Sequence, residues 1–170
     1  MATSPAPDAA APPGMCPGIA VLGGGGAGGD GDGDGSGDLP ASMKADESLR
    51  FEWSVRALAQ EAETQMTLFP SFACVADELA LEFEECLIGF TAAGRLSALH
   101  VDQSRLLTEL DAKLTAMSGP LHASLWTDEA MRVAPEWADL RAAAKALLDA
   151  MGWSRLPPPG ERYLYVGPDA

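Results

Sequence analysis

Apolar residues recur every three or four positions through the second half of the chain, which is the spacing of an amphipathic helix. This pattern predicts a long helix from about Phe72 to Phe90. It also predicts a helix from near Asp102 to Gly119, a short helix after Thr127, and a last helix from Pro135 to Gly152. Proline in a first turn and glycine just past a last turn are usual limits of a helix.

Two shorter stretches have an alternating or strand-like pattern. Phe51, Trp53 and Val55 alternate with polar residues, as in a half-buried strand. The same stretch also fits a helix, because Phe51, Val55 and Leu58 have helical spacing. After three prolines, the segment Arg162–Val166 is strand-like. We therefore expect a mainly α fold, a small bundle of about four helices. The pattern leaves open a short two-stranded accessory from the N- and C-terminal parts of the body.

The first 42 residues differ in composition from the rest of the chain. They contain most of the glycines and neither Lys nor Arg. Such a segment buries too little apolar surface to offset the entropy lost on folding. We therefore predict a disordered leader over 1–42, an acidic helical domain over 43–166 and a tail over 167–170. Because the composition changes at Met43, a translation start at Met43 instead of Met1 is a hypothesis, and the sequence leaves the two open.

The charge of the chain narrows the classes of partner. It has 25 acidic and 11 basic side chains, for a net charge of −14. Phosphate binding depends on Lys and Arg, so we expect neither direct contact with nucleic acid nor binding to an anionic membrane. No apolar stretch is long enough to span a bilayer, and the first residues lack the basic region of a secretory signal. Three cysteines are too few for a disulfide framework, which favours a cytoplasmic protein.

Motifs for catalysis and cofactor binding are incomplete. Gly23–Gly28 has the GxGxxG spacing of dinucleotide sites, but a Gly-Asp tract follows where the chemistry needs a helix. Asp30–Gly35 resembles the start of a calcium loop, with Ala41 where a bidentate carboxylate is required. We expect no metal, no cofactor and no catalytic residue, hence a non-enzymatic protein. A small enzyme with an unrecognised site stays as an alternative, which a pocket joining His100 or His122 to buried carboxylates would favour.

Acidic residues concentrate in one part of the body. Between Arg56 and Arg95 the chain has seven acidic side chains and no basic one. At 100° per residue, the helix predicted there has a narrow apolar seam between two acidic rows, opposite its main apolar face. Such a helix is packed by its own chain on both sides, has two exposed apolar residues by chance, or binds a partner protein that has a basic, partly apolar surface. The candidate partner-binding residues are Glu78, Leu81, Glu82, Glu85 and Ile88.

One short motif lies in the predicted connector before Pro70. The sequence Gln65-Met66-Thr67-Leu68-Phe69 resembles the QL[SD]LF pentapeptide by which bacterial replication and repair proteins bind the sliding clamp. Gln65, Leu68 and Phe69 match that pattern directly, and the resemblance implies binding as an extended peptide in a groove. The same residues would also suit a loop packed into the core. We expect a protein-interaction or inhibitor-type protein, with a clamp-binding accessory factor as an alternative.

Overall fold

The computed structural model describes residues 41–160 and shows a mainly α fold, as the apolar periodicity predicts. Predictions for the leader up to residue 40, for the segment Arg162–Val166 and for the tail lie outside the described residues. The elements in chain order are α1 (Ala41–Leu58), α2 (Ala62–Thr67), α3 (Val75–Ala92), a 3₁₀ helix (Arg95–Ala98), α4 (Val101–Ala116), a second 3₁₀ helix (Pro120–Leu125), α5 (Asp128–Val133) and α6 (Pro135–Met151).

The two-stranded accessory is wrong in its N-terminal half, and residues 41–160 contain no strand. Phe51, Val55 and Leu58 lie on one face of α1 and are fully buried. A helix brings all three to the core, whereas a strand would turn Leu58 away from the other two. The longer apolar pattern therefore decides the conformation, and the short alternation is incidental.

The four long helices form the bundle, and three of its sides are closed by helix packing. Helix α1 packs against α3 and α6, and α6 packs against α4. The fourth side, between α3 and α4, is open and has a cleft lined by both helices. The core between the helices is continuous. Its largest fully buried apolar side chains are Trp137, Phe51, Phe83, Leu58, Leu79, Leu110, Met131, Leu140, Leu147 and Leu148.

The limits of α5 and α6 that local signals predict agree with the structure. Thr127 accepts a hydrogen bond from the backbone N–H of Ala130 at 3.1 Å and so caps α5. Pro135 is the first residue of α6, and Gly152 ends it with a φ of 68°. Helix α4 differs at both ends, because it begins at Val101, directly after His100, and ends at Ala116, before the predicted Gly119.

The chain beyond α6 crosses back over α1. Trp153 packs edge-on against the buried ring of Phe51, with ring centroids 5.8 Å apart. Arg56 donates to the carbonyl oxygens of Leu156 and Pro157, each at 2.7 Å. The end of the body therefore contacts α1 through side chains and carbonyls of a coil segment.

Candidate interaction surface on the open side of the bundle

Helix α3 has one face in the core and another turned outward. Val75, Leu79, Phe83 and Phe90 are buried on the inner face. Asp77 lies in the first turn, where a carboxylate interacts favourably with the helix dipole. The sequence in this segment thus favours a helix by both its apolar periodicity and its end charges.

Leu81 and Ile88 lie on the outward face, as the sequence predicts. Leu81 is 40% exposed and Ile88 is 64% exposed. They are seven residues apart, which corresponds to about 10.5 Å along a helix. Two large aliphatic side chains therefore form an exposed row on an otherwise acidic helix.

The carboxylates beside this row differ in how far they are neutralised. Glu85 is exposed and accepts a hydrogen bond from Arg50 of α1 at 3.4 Å, while Arg50 also lies 3.6 Å from Glu47. Glu78 and Glu84 are partly exposed, and neither forms an ion pair with the described residues. The charge of this face is therefore only partly balanced within the part of the chain that the structure describes.

Glu82 does not belong to the outward face. It is 5% exposed. Four residues along a helix lie about 40° further around its axis, so Glu82 is turned from the position of Glu78 toward the packed side. Asp77 is also buried, and burial, followed by the charge of Glu78, raises the pKa of its carboxyl above the usual value. The structure thus brings four of the five predicted residues to the surface: Glu78, Leu81, Glu85 and Ile88.

The outward face of α3 continues into the cleft on the open side of the bundle. This cleft has a volume of about 270 Å³. Its lining comes from α3, α4 and the segment between them: Leu87, Thr91, Leu96, Ser104, Leu107, Thr108 and Asp111. The sequence of α3 alone does not predict this cleft, because the cleft depends on how α3 lies relative to α4. The surface formed by Glu78, Leu81, Glu84, Glu85, Ile88 and this cleft is called the acidic-apolar surface below.

The clamp-like motif lies elsewhere, in and after α2. Gln65 is fully buried, and its amide nitrogen donates to the carbonyl oxygens of Ala57 and Leu58 at 3.2 and 3.0 Å. Phe69 is 7% exposed, and Leu68 is partly buried against the core. Instead of the expected connector, residues 62–67 form a helix, and the motif closes the end of α1. In this conformation neither Gln65 nor Phe69 is presented to a groove on another protein.

The two histidines lie at exposed positions in the structure. His100 precedes α4, and its backbone N–H donates to the Gln103 side chain at 2.9 Å. His122, with Glu136 and Asp139, lines a second cleft, but both carboxylates are exposed rather than buried. Within the described residues, no group of three or more His, Cys, Asp or Glu side chains is placed to hold a metal ion.

Comparison of the chain with protein-family models, with curated proteins and with solved structures gave no match. None of the described helices combines the length and apolar character that crossing a membrane requires.

Proposed function

We propose that this chain is a non-enzymatic, cytoplasmic binding protein whose acidic-apolar surface covers a basic, partly apolar patch on a partner protein. The observation that carries the proposal is the exposed pair Leu81 and Ile88, flanked by carboxylates that few cations of the chain neutralise. A contiguous exposed apolar patch with a polar rim is typical of surfaces that bind other proteins.

The apolar part of the surface supplies the contact area. Ile88 lies beside the cleft residues Leu87 and Thr91 on the same helix, so that an apolar side chain of the partner would contact both. Complete burial of one side chain of this size contributes about 1.5–3 kcal/mol. The partner is therefore expected to have at least one protruding aliphatic or aromatic residue.

The negative charge of the surface determines which classes of partner can bind to it. A second copy of this chain would bring acidic residues against acidic residues, and the phosphates of nucleic acid would be repelled in the same way. Lys and Arg around the apolar residue of the partner would complement Glu78, Glu84 and Glu85. Such complementarity raises the rate of association and fixes orientation. An inhibitor-type protein that masks a basic surface fits this chemistry.

The clamp-binding alternative lacks similar support. Its two most characteristic residues, Gln65 and Phe69, are buried and make structural contacts. Binding in a groove would require α2 to leave the body, at the cost of exposing the end of α1 to water.

A designed peptide tests the chemistry of the surface without knowledge of the natural partner. The probe is a synthetic amphipathic helix with leucines on one face and lysines on the other. A second peptide keeps the lysines and has serines in place of the leucines. We expect the first peptide to shift backbone amide resonances of α3 and α4 around the cleft, and to bind less tightly as salt concentration rises. The second peptide should bind about tenfold more weakly.

Single substitutions locate the binding. Ile88→Ser and Glu84→Gln should each weaken binding of the first peptide several-fold. Val133→Ser and Glu129→Gln are matched controls on α5, also exposed, and should bind as the unchanged protein does. Equal binding by the α3 variants and the controls, or resonance shifts confined to another face, would refute the proposed surface. A natural partner recovered by affinity purification should be lost from the Ile88→Ser protein and kept by the Val133→Ser protein.

A further inference from the structure

The cleft that contains His122 lies on a different side of the body from the acidic-apolar surface. It is formed by the end of α4, the 3₁₀ helix Pro120–Leu125 and the start of α6, and has a volume of about 300 Å³. That volume is at the lower end of the range for small-molecule sites. The cleft is therefore large enough for one compact ligand.

Two tryptophan hydrogen bonds and a ring contact hold the base of this cleft. Trp126 donates its indole N–H to the carbonyl oxygen of Met117, and Trp137 donates to that of Leu125, each at 2.7 Å. The two indole rings are buried and pack edge to face, with centroids 5.9 Å apart. Met117 and Leu125 line the cleft and are thus fixed by hydrogen bonds from below. A preformed apolar floor lowers the entropy lost when a ligand binds.

One wall of the cleft carries two carboxylates, and the other carries the ammonium group of Lys113 and the imidazole of His122. Glu136 and Asp139 lie on α6 three residues apart, which places them on the same side of that helix. Lys113 and His122 line the same cleft from α4 and from the 3₁₀ helix. No ion pair joins these basic residues to Glu136 or Asp139 in the described structure. Lys113 instead lies 4.0 Å from Glu109, a loose contact at the rim.

Opposite charges that share a cleft without pairing leave room for a molecule that carries both charges. We propose that this cleft binds a small zwitterion with a compact apolar side chain, that is, a free amino acid of the leucine or methionine class. Its ammonium group contacts Glu136 and Asp139, and its carboxylate contacts Lys113 and His122. Its side chain lies on Met117 and Leu125. Charge-assisted hydrogen bonds at both ends give orientation, and the apolar floor gives preference among side chains.

Titration of the full-length ¹⁵N-labelled protein with L-leucine tests the proposal by NMR. We expect saturable shifts of amide resonances at residues 113–125 and 136–139, in the millimolar range. Leucinamide lacks the carboxylate and N-acetyl-leucine lacks the ammonium, and each should bind about tenfold more weakly than leucine. Equal affinity of the three compounds, or no saturable shift with leucine, methionine, valine or phenylalanine, would overturn the proposal.

Variants assign the two ends of the ligand. Asp139→Asn should weaken leucine several-fold and leave the weak binding of N-acetyl-leucine unchanged, because that compound has no ammonium group. Lys113→Met should weaken leucine and leave leucinamide unchanged. Arg105→Met is the matched control for Lys113→Met, since Arg105 lies on the same helix and contacts the same Glu109, at 3.7 Å. A loss of leucine binding in the control as large as in Lys113→Met would contradict the assignment. These measurements do not involve α3, so their outcome is independent of the proposed partner surface.

Discussion

The two acidic segments, α2 and α3, both lack basic residues in their sequence, but they differ in how many cations from other helices lie close to their carboxylates. Glu61, just before α2, accepts a hydrogen bond from Lys145 of α6 at 2.7 Å and lies 4.0 Å from the buried Arg141. Glu63 accepts a hydrogen bond from Arg132 of α5 at 2.8 Å. The carboxylates around α2 are thus matched by cations from the last two helices.

The outward face of α3 has far less compensation. Arg50 alone, among the described residues, forms an ion pair there, and it is shared between Glu85 and Glu47. The difference follows from position, because α2 packs against α5 whereas this face of α3 points away from the bundle. Acidic composition by itself therefore does not mark a binding surface. The proposed surface differs from the surroundings of α2 in that the fold brings fewer cations close to its acidic side chains.

The largest expected difference in stability is between substitutions of Phe69, beside α2, and of Ile88, on α3. Phe69→Ala should lower the free energy of unfolding by about 3 kcal/mol, because it removes a buried aromatic ring and leaves a cavity. Ile88→Ala should change it by less than about 0.5 kcal/mol, because Ile88 is mostly exposed. Urea unfolding monitored by circular dichroism measures both. A loss of more than about 2 kcal/mol in Ile88→Ala would show that the seam packs against part of the chain, and the partner surface would then be excluded.

The order and limits of the later helices could be predicted from sequence because their signals are local. Pro135, Gly152 and Thr127 act through their own backbone geometry or through a residue three positions away. The first part of the body was harder. In α1 a short alternation coincided with helical spacing, and only burial of Leu58 separates the two. The six residues of α2 carry too little periodicity to predict a helix.

Part of the candidate surface was also predictable, because the positions of side chains around one helix follow from local sequence alone. A helical projection places Leu81 and Ile88 opposite the core face without further information. It cannot tell which neighbouring helix covers Glu82, nor that α3 and α4 leave a cleft between them, because both depend on packing between distant segments. The burial of Gln65 had no sequence signal, since a polar residue in a motif is ordinarily expected to be exposed.

A smaller loss of stability is expected on substitution of Gln65, whose side chain connects the clamp-like motif to α1 by hydrogen bonds. Gln65→Leu removes two hydrogen bonds to carbonyl oxygens at the end of α1, and also removes an amide oxygen that is buried without a hydrogen bond within the described structure. We expect a net loss of about 1 kcal/mol, since the second change offsets part of the first. Glu85→Gln on α3 is the comparison and should alter the unfolding midpoint very little. An unchanged or higher midpoint in Gln65→Leu would mean that the amide is not needed for folding.

Glu61 should contribute less than Gln65 to the free energy of unfolding, and its contribution should depend on pH. The hydrogen bond and the charge of Lys145 lower the pKa of the Glu61 carboxyl below its ordinary value of 4.5. The stabilisation is therefore fully present above pH 4.5 and is lost as the pH falls through the lower, folded-state pKa. Because the carboxylate is exposed, Glu61→Gln should lower the free energy of unfolding by only about 0.5 kcal/mol at neutral pH. Thermal unfolding at pH 6 and pH 3 should show a difference from the unchanged protein that shrinks in acid.

The smallest expected effect on stability is at Asp77 of α3. Its pH dependence has the opposite sign to that of Glu61, so the two segments can be distinguished by titration. Burial raises the pKa of the Asp77 carboxyl above its ordinary value of 3.8, so the folded chain keeps this proton at a pH where the unfolded chain has released it. Stability then falls as the pH rises from 3.8 through the folded-state pKa. Asp77→Asn does not titrate and lacks this loss, so its stability relative to the unchanged protein should increase over that interval. If the melting temperatures of the two proteins run parallel between pH 3 and pH 7, Asp77 is solvated, and the first turn of α3 is more open to water than the structure indicates.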